Sequence, residues 1–136
     1  MGTAAKILIL GGMAGLAASF VLGFFFAKAR EKSANANRYL VMAHVGGLMG
    51  GSMLLALTVA VGYSNLGVGL ETLAAALLTG GTLSLVTKDT INWRQGVTDE
   101  FKQQPALQTK VGIAGVLAMS AGLLVLTIGV LSAALG

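Results

Sequence analysis

The stretch ILILGGMAGLAASFVLGFFFA, residues 7–27, is an unbroken run without a charged side chain. A helix needs about 20 mainly apolar residues to cross the hydrocarbon core of a bilayer. The run is also longer than the apolar part of a secretory signal peptide, which usually has about 7–15 residues. It therefore predicts a membrane-spanning helix rather than a cleaved leader.

Three further apolar segments are long enough to span, at residues 39–63, 70–86 and 111–135. Only 10% of the 136 residues are charged, whereas soluble domains have about 25%. We therefore expect an all-α, integral membrane four-helix bundle that forms a single transmembrane domain over residues 1–136. The net charge of +4 comes from short segments between apolar runs, so the expected partner is the lipid bilayer and not nucleic acid.

The basic residues predict how the spans are oriented. Most of them lie in two connections, residues 28–38 and 88–110, whereas the connection at residues 64–69 has none. Cytoplasmic loops of membrane proteins carry an excess of Lys and Arg. We therefore expect both charged connections in the cytoplasm and both termini on the outer (periplasmic) side, with the bacterial inner (plasma) membrane as the location. Tyr39 and Trp93 would then lie at the inner interface, where aromatic residues are enriched.

The connection at residues 88–110 is the only sizeable loop that hydropathy predicts. Apolar residues recur in it at intervals, which is typical of a segment lying on a surface. Pro105 suits an early helix position, where its missing N–H costs nothing. We therefore expect the fourth helix to begin before its apolar part.

Glycine is enriched inside the spans. The chain has 20 glycines, about twice the usual share of roughly 7%. The second span holds two overlapping pairs, Gly46 with Gly50 and Gly47 with Gly51, and small residues four apart mark contact faces of membrane helices. Both pairs could pack helices, or one could pack a helix and the other a flat ligand. Because such faces outnumber the contacts within one small bundle, we expect a homo-oligomer.

The stretch AHVGGLMGG, residues 43–51, contains the only histidine, His44. An ionisable residue inside a span is a functional candidate by default. On a helix His44 shares a face with Gly47 and Gly51, so the imidazole would overhang a wall with few side chains. Haem fits such a place, because its iron accepts an axial histidine and its ring needs apolar space. Alternatively, His44 hydrogen-bonds another helix, in a cofactor-free structural or accessory subunit of a larger membrane complex.

The composition excludes several other kinds of site. Without cysteine the chain cannot form a disulfide, a thiolate–zinc site or an iron–sulfur centre. With one histidine it cannot hold haem between two histidines of the same chain. No phosphate-binding loop and no nucleophile elbow is present.

The run MAHVGGLMGGSMLLALTVAV, residues 42–61, resembles the second span of the styrene oxide isomerase family. These are small four-helix membrane enzymes that form trimers and bind haem b through a histidine in this segment. The matching positions are Ala43, His44, Gly46, Gly51 and Met53. The resemblance implies that His44 is the axial metal ligand of haem b, with Gly47 and Gly51 beside the ring, and that the oligomer is a trimer.

In that family ferric haem acts as a Lewis acid that opens an epoxide, and the resulting carbocation rearranges to an aldehyde. The resemblance therefore implies redox-neutral isomerisation of a small apolar epoxide to a carbonyl compound. The family's asparagine six residues after the histidine is replaced here by Gly50. Its aspartate and tyrosine on the third helix have no clear counterpart, and the candidates for catalytic residues are Thr79, Thr82 and Asp89.

Overall fold

The computed structural model describes all 136 residues and contains five helices and no strand. The helices are α1 Thr3–Lys32, α2 Arg38–Gly62, α3 Val68–Arg94, α4 Glu100–Gln103 and α5 Ala106–Leu135. All but α4 are long and apolar enough to cross a membrane. The prediction of an all-α chain with four potential spanning helices is therefore confirmed, and these helices indicate an integral membrane protein.

The helices run further than the apolar segments that predicted them. α3 continues to Arg94, about two turns past the predicted end at residue 86. Lys and Arg favour helices about as well as Leu does, so hydropathy marks where the hydrocarbon ends and not where the helix ends. The prediction of a loop from residue 88 is therefore wrong for residues 88–94. The early start of the fourth helix is confirmed, because α5 begins at Ala106 directly after Pro105.

α3 lies at the centre of the bundle and packs against α1, α2 and α5. α1 and α2 pack along each other, whereas α5 has extensive contact only with α3. The Asn37 side chain donates to the Val97 carbonyl at 3.3 Å, so the connections at residues 33–37 and 95–105 meet at one end, which we call the charged end. The Asn65 N–H donates to the Gly129 carbonyl at the opposite end. Which side of a membrane each end faces stays a prediction.

Buried apolar side chains from all four long helices meet between these ends. The largest cluster takes one leucine from each of them, and each is at most 2% exposed: Leu8, Leu54, Leu78 and Leu126. A second cluster lies nearer the charged end and consists of Leu22, Leu40, Ala43 and Val86. This second cluster fixes the part of α2 that carries His44.

Candidate functional site

His44 lies in the contact between α1 and α2, where its ring meets Ser19. Its Nδ1 is 2.9 Å from the Ser19 carbonyl oxygen and 3.0 Å from the Ser19 hydroxyl oxygen. The same hydroxyl donates its proton to the His44 carbonyl at 2.6 Å. Both oxygens can then only accept from the ring, so the neutral imidazole carries its proton on Nδ1 and a lone pair on Nε2.

The Nε2 side of His44 is open. The residue is only partly buried. Its Nε2 makes no hydrogen bond with the chain, and it is not one of the fully buried polar atoms that lack a partner. Metal-binding histidines commonly donate the other ring N–H to a carbonyl, which fixes the tautomer and aims the lone pair. The Ser19–His44 pair has this arrangement, so His44 fits the role of a single axial ligand.

Two residues of α1 shape the space around the imidazole. A Cβ at Gly23 would lie 2.9 Å from Cε1 of His44, so only glycine lets the ring lie over this part of α1. The Phe26 ring is stacked at 6.0 Å between centroids, with 24° between the planes. Ser19 and Gly23 were not predicted as site residues. The sequence contains a signal for them, because Gly15, Ser19 and Gly23 are small residues four apart.

Gly47 and Gly51 lie against α1 and not beside open space. A Cβ at Gly51 would be 2.8 Å from the Gly12 carbonyl oxygen, and one at Gly47 would be 2.9 Å from the Gly15 carbonyl oxygen. The bare wall that the sequence predicts beside His44 is thus filled by a neighbouring helix. The backbone of α1 thus occupies the space where Gly47 and Gly51 were expected to adjoin a haem ring.

The other glycine pair of α2 faces α3. Gly50 packs tightly against Thr82, and Gly46 has looser contact with Val86. Both pairs therefore serve helix packing, as one of the two interpretations of the sequence expects. Gly50, which replaces the asparagine of the family resembled, is a contact point for α3.

The candidate threonines of α3 lie away from His44. Thr82 meets α2 at Gly50. Gly50 follows His44 by six residues, which is one full turn and about 240° more around the helix axis, so the two positions point to different sides of α2. The Thr82 hydroxyl donates to Met119 Sδ of α5 at 3.8 Å. Thr79 packs against Gly11 of α1, and its buried Oγ1 has no hydrogen-bond partner. One chain therefore does not bring these two hydroxyls to the imidazole.

Asp89 belongs to a separate polar cluster at the charged end. Lys88 Nζ lies 3.1 Å from Asp89 Oδ1 and 3.0 Å from both carboxylate oxygens of Glu100. Asn92 also donates to Glu100, at 2.8 Å. The Glu100 backbone N–H donates to the Tyr39 hydroxyl at 2.8 Å. We call these five residues the Lys88 cluster, and it holds α4 onto the ends of α2 and α3.

The sequence did not predict the Lys88 cluster, because hydropathy assigns its charges to a solvated loop. The cluster is largely enclosed: Tyr39 and Asn92 are fully buried. Neither it nor any other group of three or more His, Cys, Asp and Glu side chains is arranged to hold a metal ion. A metal site in this chain would therefore rest on fewer protein ligands, and His44 is its only imidazole.

No family model, no curated protein and no solved structure matches the chain.

Proposed function

We propose that the chain is a membrane protein that binds haem b through Nε2 of His44. The observation that supports this is the fixed tautomer: the Nδ1 proton is held by Ser19, and the lone pair of Nε2 has no hydrogen-bond partner in the chain. In a span, an imidazole whose second nitrogen has no partner inside the chain calls for one outside it. The apolar surroundings, with Phe26 stacked on the imidazole, suit a porphyrin.

The proposed position also gives a reason for an oligomer. Because the backbone of α1 covers Gly47 and Gly51, the α1–α2 contact has no room for a porphyrin beside these glycines. Apolar side chains of the same part of α1 are exposed, among them Phe20 and Phe24. A second copy of the chain would enclose the ring there. The trimer and the bacterial inner membrane remain part of this proposal.

Bound at Nε2, ferric haem would supply a Lewis acid for an apolar epoxide. The chain itself contributes the axial nitrogen and, through Ser19, the orientation of the imidazole. Thr79, Thr82 and Asp89 lie elsewhere in the bundle, so none of these three candidates is placed to transfer a proton there in the same copy. We therefore propose haem binding alone, and isomerase activity is the next assay once binding is established.

The test is an absorbance spectrum of the detergent-purified protein, produced with ample haem, first oxidised and then reduced. We expect a Soret band at stoichiometric haem that shifts on reduction and is lost in His44→Ala. In His44→Gly, added imidazole is expected to restore the band, because it replaces the missing axial nitrogen. Val45→Ala, at the adjacent exposed position, should retain haem fully.

A flat spectrum of the wild-type protein, or a Soret band unchanged in His44→Ala, would contradict the proposal. The first result would favour the second candidate, a cofactor-free structural or accessory subunit of a larger complex. The bond from Nδ1 to Ser19 and the packing of all four α2 glycines support that candidate. His44→Ala would then cost only about 1 kcal/mol of helix association.

A further inference from the structure

A groove at the charged end separates α4 from the first turns of α5. Its volume is about 710 Å³, which lies within the range of roughly 300–1,000 Å³ typical of small-molecule sites. α3, α4 and α5 all contribute to its lining. The groove does not involve His44 or its neighbours on α1.

The polarity of the groove changes along the helix axis. Its polar lining residues lie towards the end of the bundle: Lys88, Glu100, Gln104, Thr109 and Lys110. Apart from Phe101 and Ala106, its larger apolar residues lie deeper along the spans: Leu85, Ile113, Val116 and Leu117. At 1.5 Å per residue, Lys110 and Leu117 are about 10 Å apart along α5. A ligand that fits must be polar where the span ends and apolar where the span enters the bilayer.

The groove lining holds one more positive than negative charge, with Lys88 and Lys110 against Glu100. Lys88 is held by Glu100 through two hydrogen bonds of 3.0 Å and by Asp89, which lies outside the lining. Lys110 is exposed and makes no ion pair, since the only pairs in the chain are those of Lys88. Lys110 is thus the one lining charge without a partner.

Gly112 leaves space beside the groove for the side chain of Lys88. A Cβ at this position would lie 2.9 Å from Cδ of Lys88, so the missing side chain leaves room for the lysine stem across α5. Lys88 therefore reaches Glu100 of α4 without filling the groove. The polar end stays open beside Lys110.

We propose that this groove binds one anionic phospholipid, with the headgroup phosphate at Lys110 and an acyl chain along Ile113, Val116 and Leu117. A lysine beside the end of a span attracts anionic headgroups. The gradient from polar to apolar along the membrane normal distinguishes a lipid from a free anion, which would need only the polar end. This site does not involve haem, so the protein without haem should bind the lipid as well.

The test is native mass spectrometry of the detergent-purified protein with phosphatidylglycerol or phosphatidylcholine of identical acyl chains. We expect one phosphatidylglycerol per chain to be retained in preference to phosphatidylcholine. Lys110→Gln should weaken retention of phosphatidylglycerol about fivefold, the effect of one basic residue near an anionic surface. Lys32→Gln, which removes one charge from the same end but from α1, should have no such effect.

A second pair of variants tests the apolar half of the groove. Val116→Trp, which fills the groove at a half-exposed position, should abolish retention, whereas Leu124→Trp on the same helix but outside the groove should not. Equal retention of both lipids, equal effects of Lys110→Gln and Lys32→Gln, or retention in Val116→Trp would each overturn the proposal. Displacement of the lipid by millimolar inorganic phosphate would overturn it too, because the site would then bind the free anion.

Discussion

Gly81→Ala is expected to lower the free energy of unfolding by about 2 kcal/mol, the usual scale of overpacking. The same change at the adjacent Gly80 should leave it unchanged or raise it by up to about 1 kcal/mol, since alanine is the better helix former. A Cβ at Gly81 would lie 2.6 Å from the Gly115 carbonyl oxygen and 2.7 Å from the Met119 backbone nitrogen. Both atoms belong to the backbone of α5 and cannot rotate away. A Cβ at Gly80 would have nothing within 4 Å.

The effect should be large because α5 has few other contacts. It packs extensively only against α3, so moving it off Gly81 also loosens the contact at Gly122, which lies against Ala74. Little elsewhere in the fold opposes that movement. The loss should therefore appear in global unfolding and in the retention of α5 by the rest of the bundle.

The measurement is reversible unfolding of the purified protein by sodium dodecyl sulfate in mixed micelles, followed by helical circular dichroism. Gly80 and Gly81 are neighbours on the same helix, so the change in intrinsic helix propensity is the same for both variants. Equal losses at the two positions would mean that the contact with α5 contributes nothing. A loss at Gly81 alone identifies the close approach of the two backbones as its cause.

The fold could largely be predicted from the sequence, because two independent patterns agree on it. Apolar runs of spanning length are selected by the hydrocarbon itself, and glycines four apart mark helix contacts. Gly47 and Gly51 do lie in such a contact. The end of α3 at Arg94 could not be predicted in this way, since hydropathy does not register a helix that continues beyond the apolar region.

The surroundings of His44 could be predicted only in part. Helical spacing correctly places Gly47 and Gly51 on its side of α2, but it does not say which neighbour that side meets. The answer depends on how α1 and α2 are rotated against each other, and this depends on Ser19 and Gly23, more than 20 residues earlier. The small residues at spacing four in α1 indicate a contact face there. Pairing that face with the one on α2 required the structure.

The Lys88 cluster could not be predicted for a different reason. In the sequence, its charged residues lie beside a span, where Lys and Arg normally indicate which side of the membrane a loop faces. Lys88, Asp89 and Glu100 come together only because α3 continues past the apolar region and α4 turns back over its end. The cluster is therefore a product of tertiary structure, and its energetic weight can be measured.

Lys88→Met is expected to lower the free energy of unfolding by about 3 kcal/mol, because removing one partner of a buried ion pair leaves its carboxylates without compensation. The lysine and glutamate side chains are only 11% and 17% exposed, so water cannot replace the lost charge well. Methionine keeps most of the stem that lies against Gly112, so the loss reports the charge and not the packing. Detergent unfolding of the kind used for Gly81 gives the value.

Two further variants make this result specific to the cluster. Lys110→Met, near the same end but without an ion pair, should change the stability by less than about 0.5 kcal/mol, as expected for an exposed position. The triple variant K88M/D89N/E100Q should recover most of the loss, since replacing a whole buried ionic cluster by neutral groups is often close to neutral in free energy. If K88M is no worse than K110M, the ion pairs do not stabilise the fold. If the triple variant is as unstable as K88M, the loss does not come from uncompensated carboxylates. The cluster would then stabilise the fold through the packing of its side chains and not through its charges.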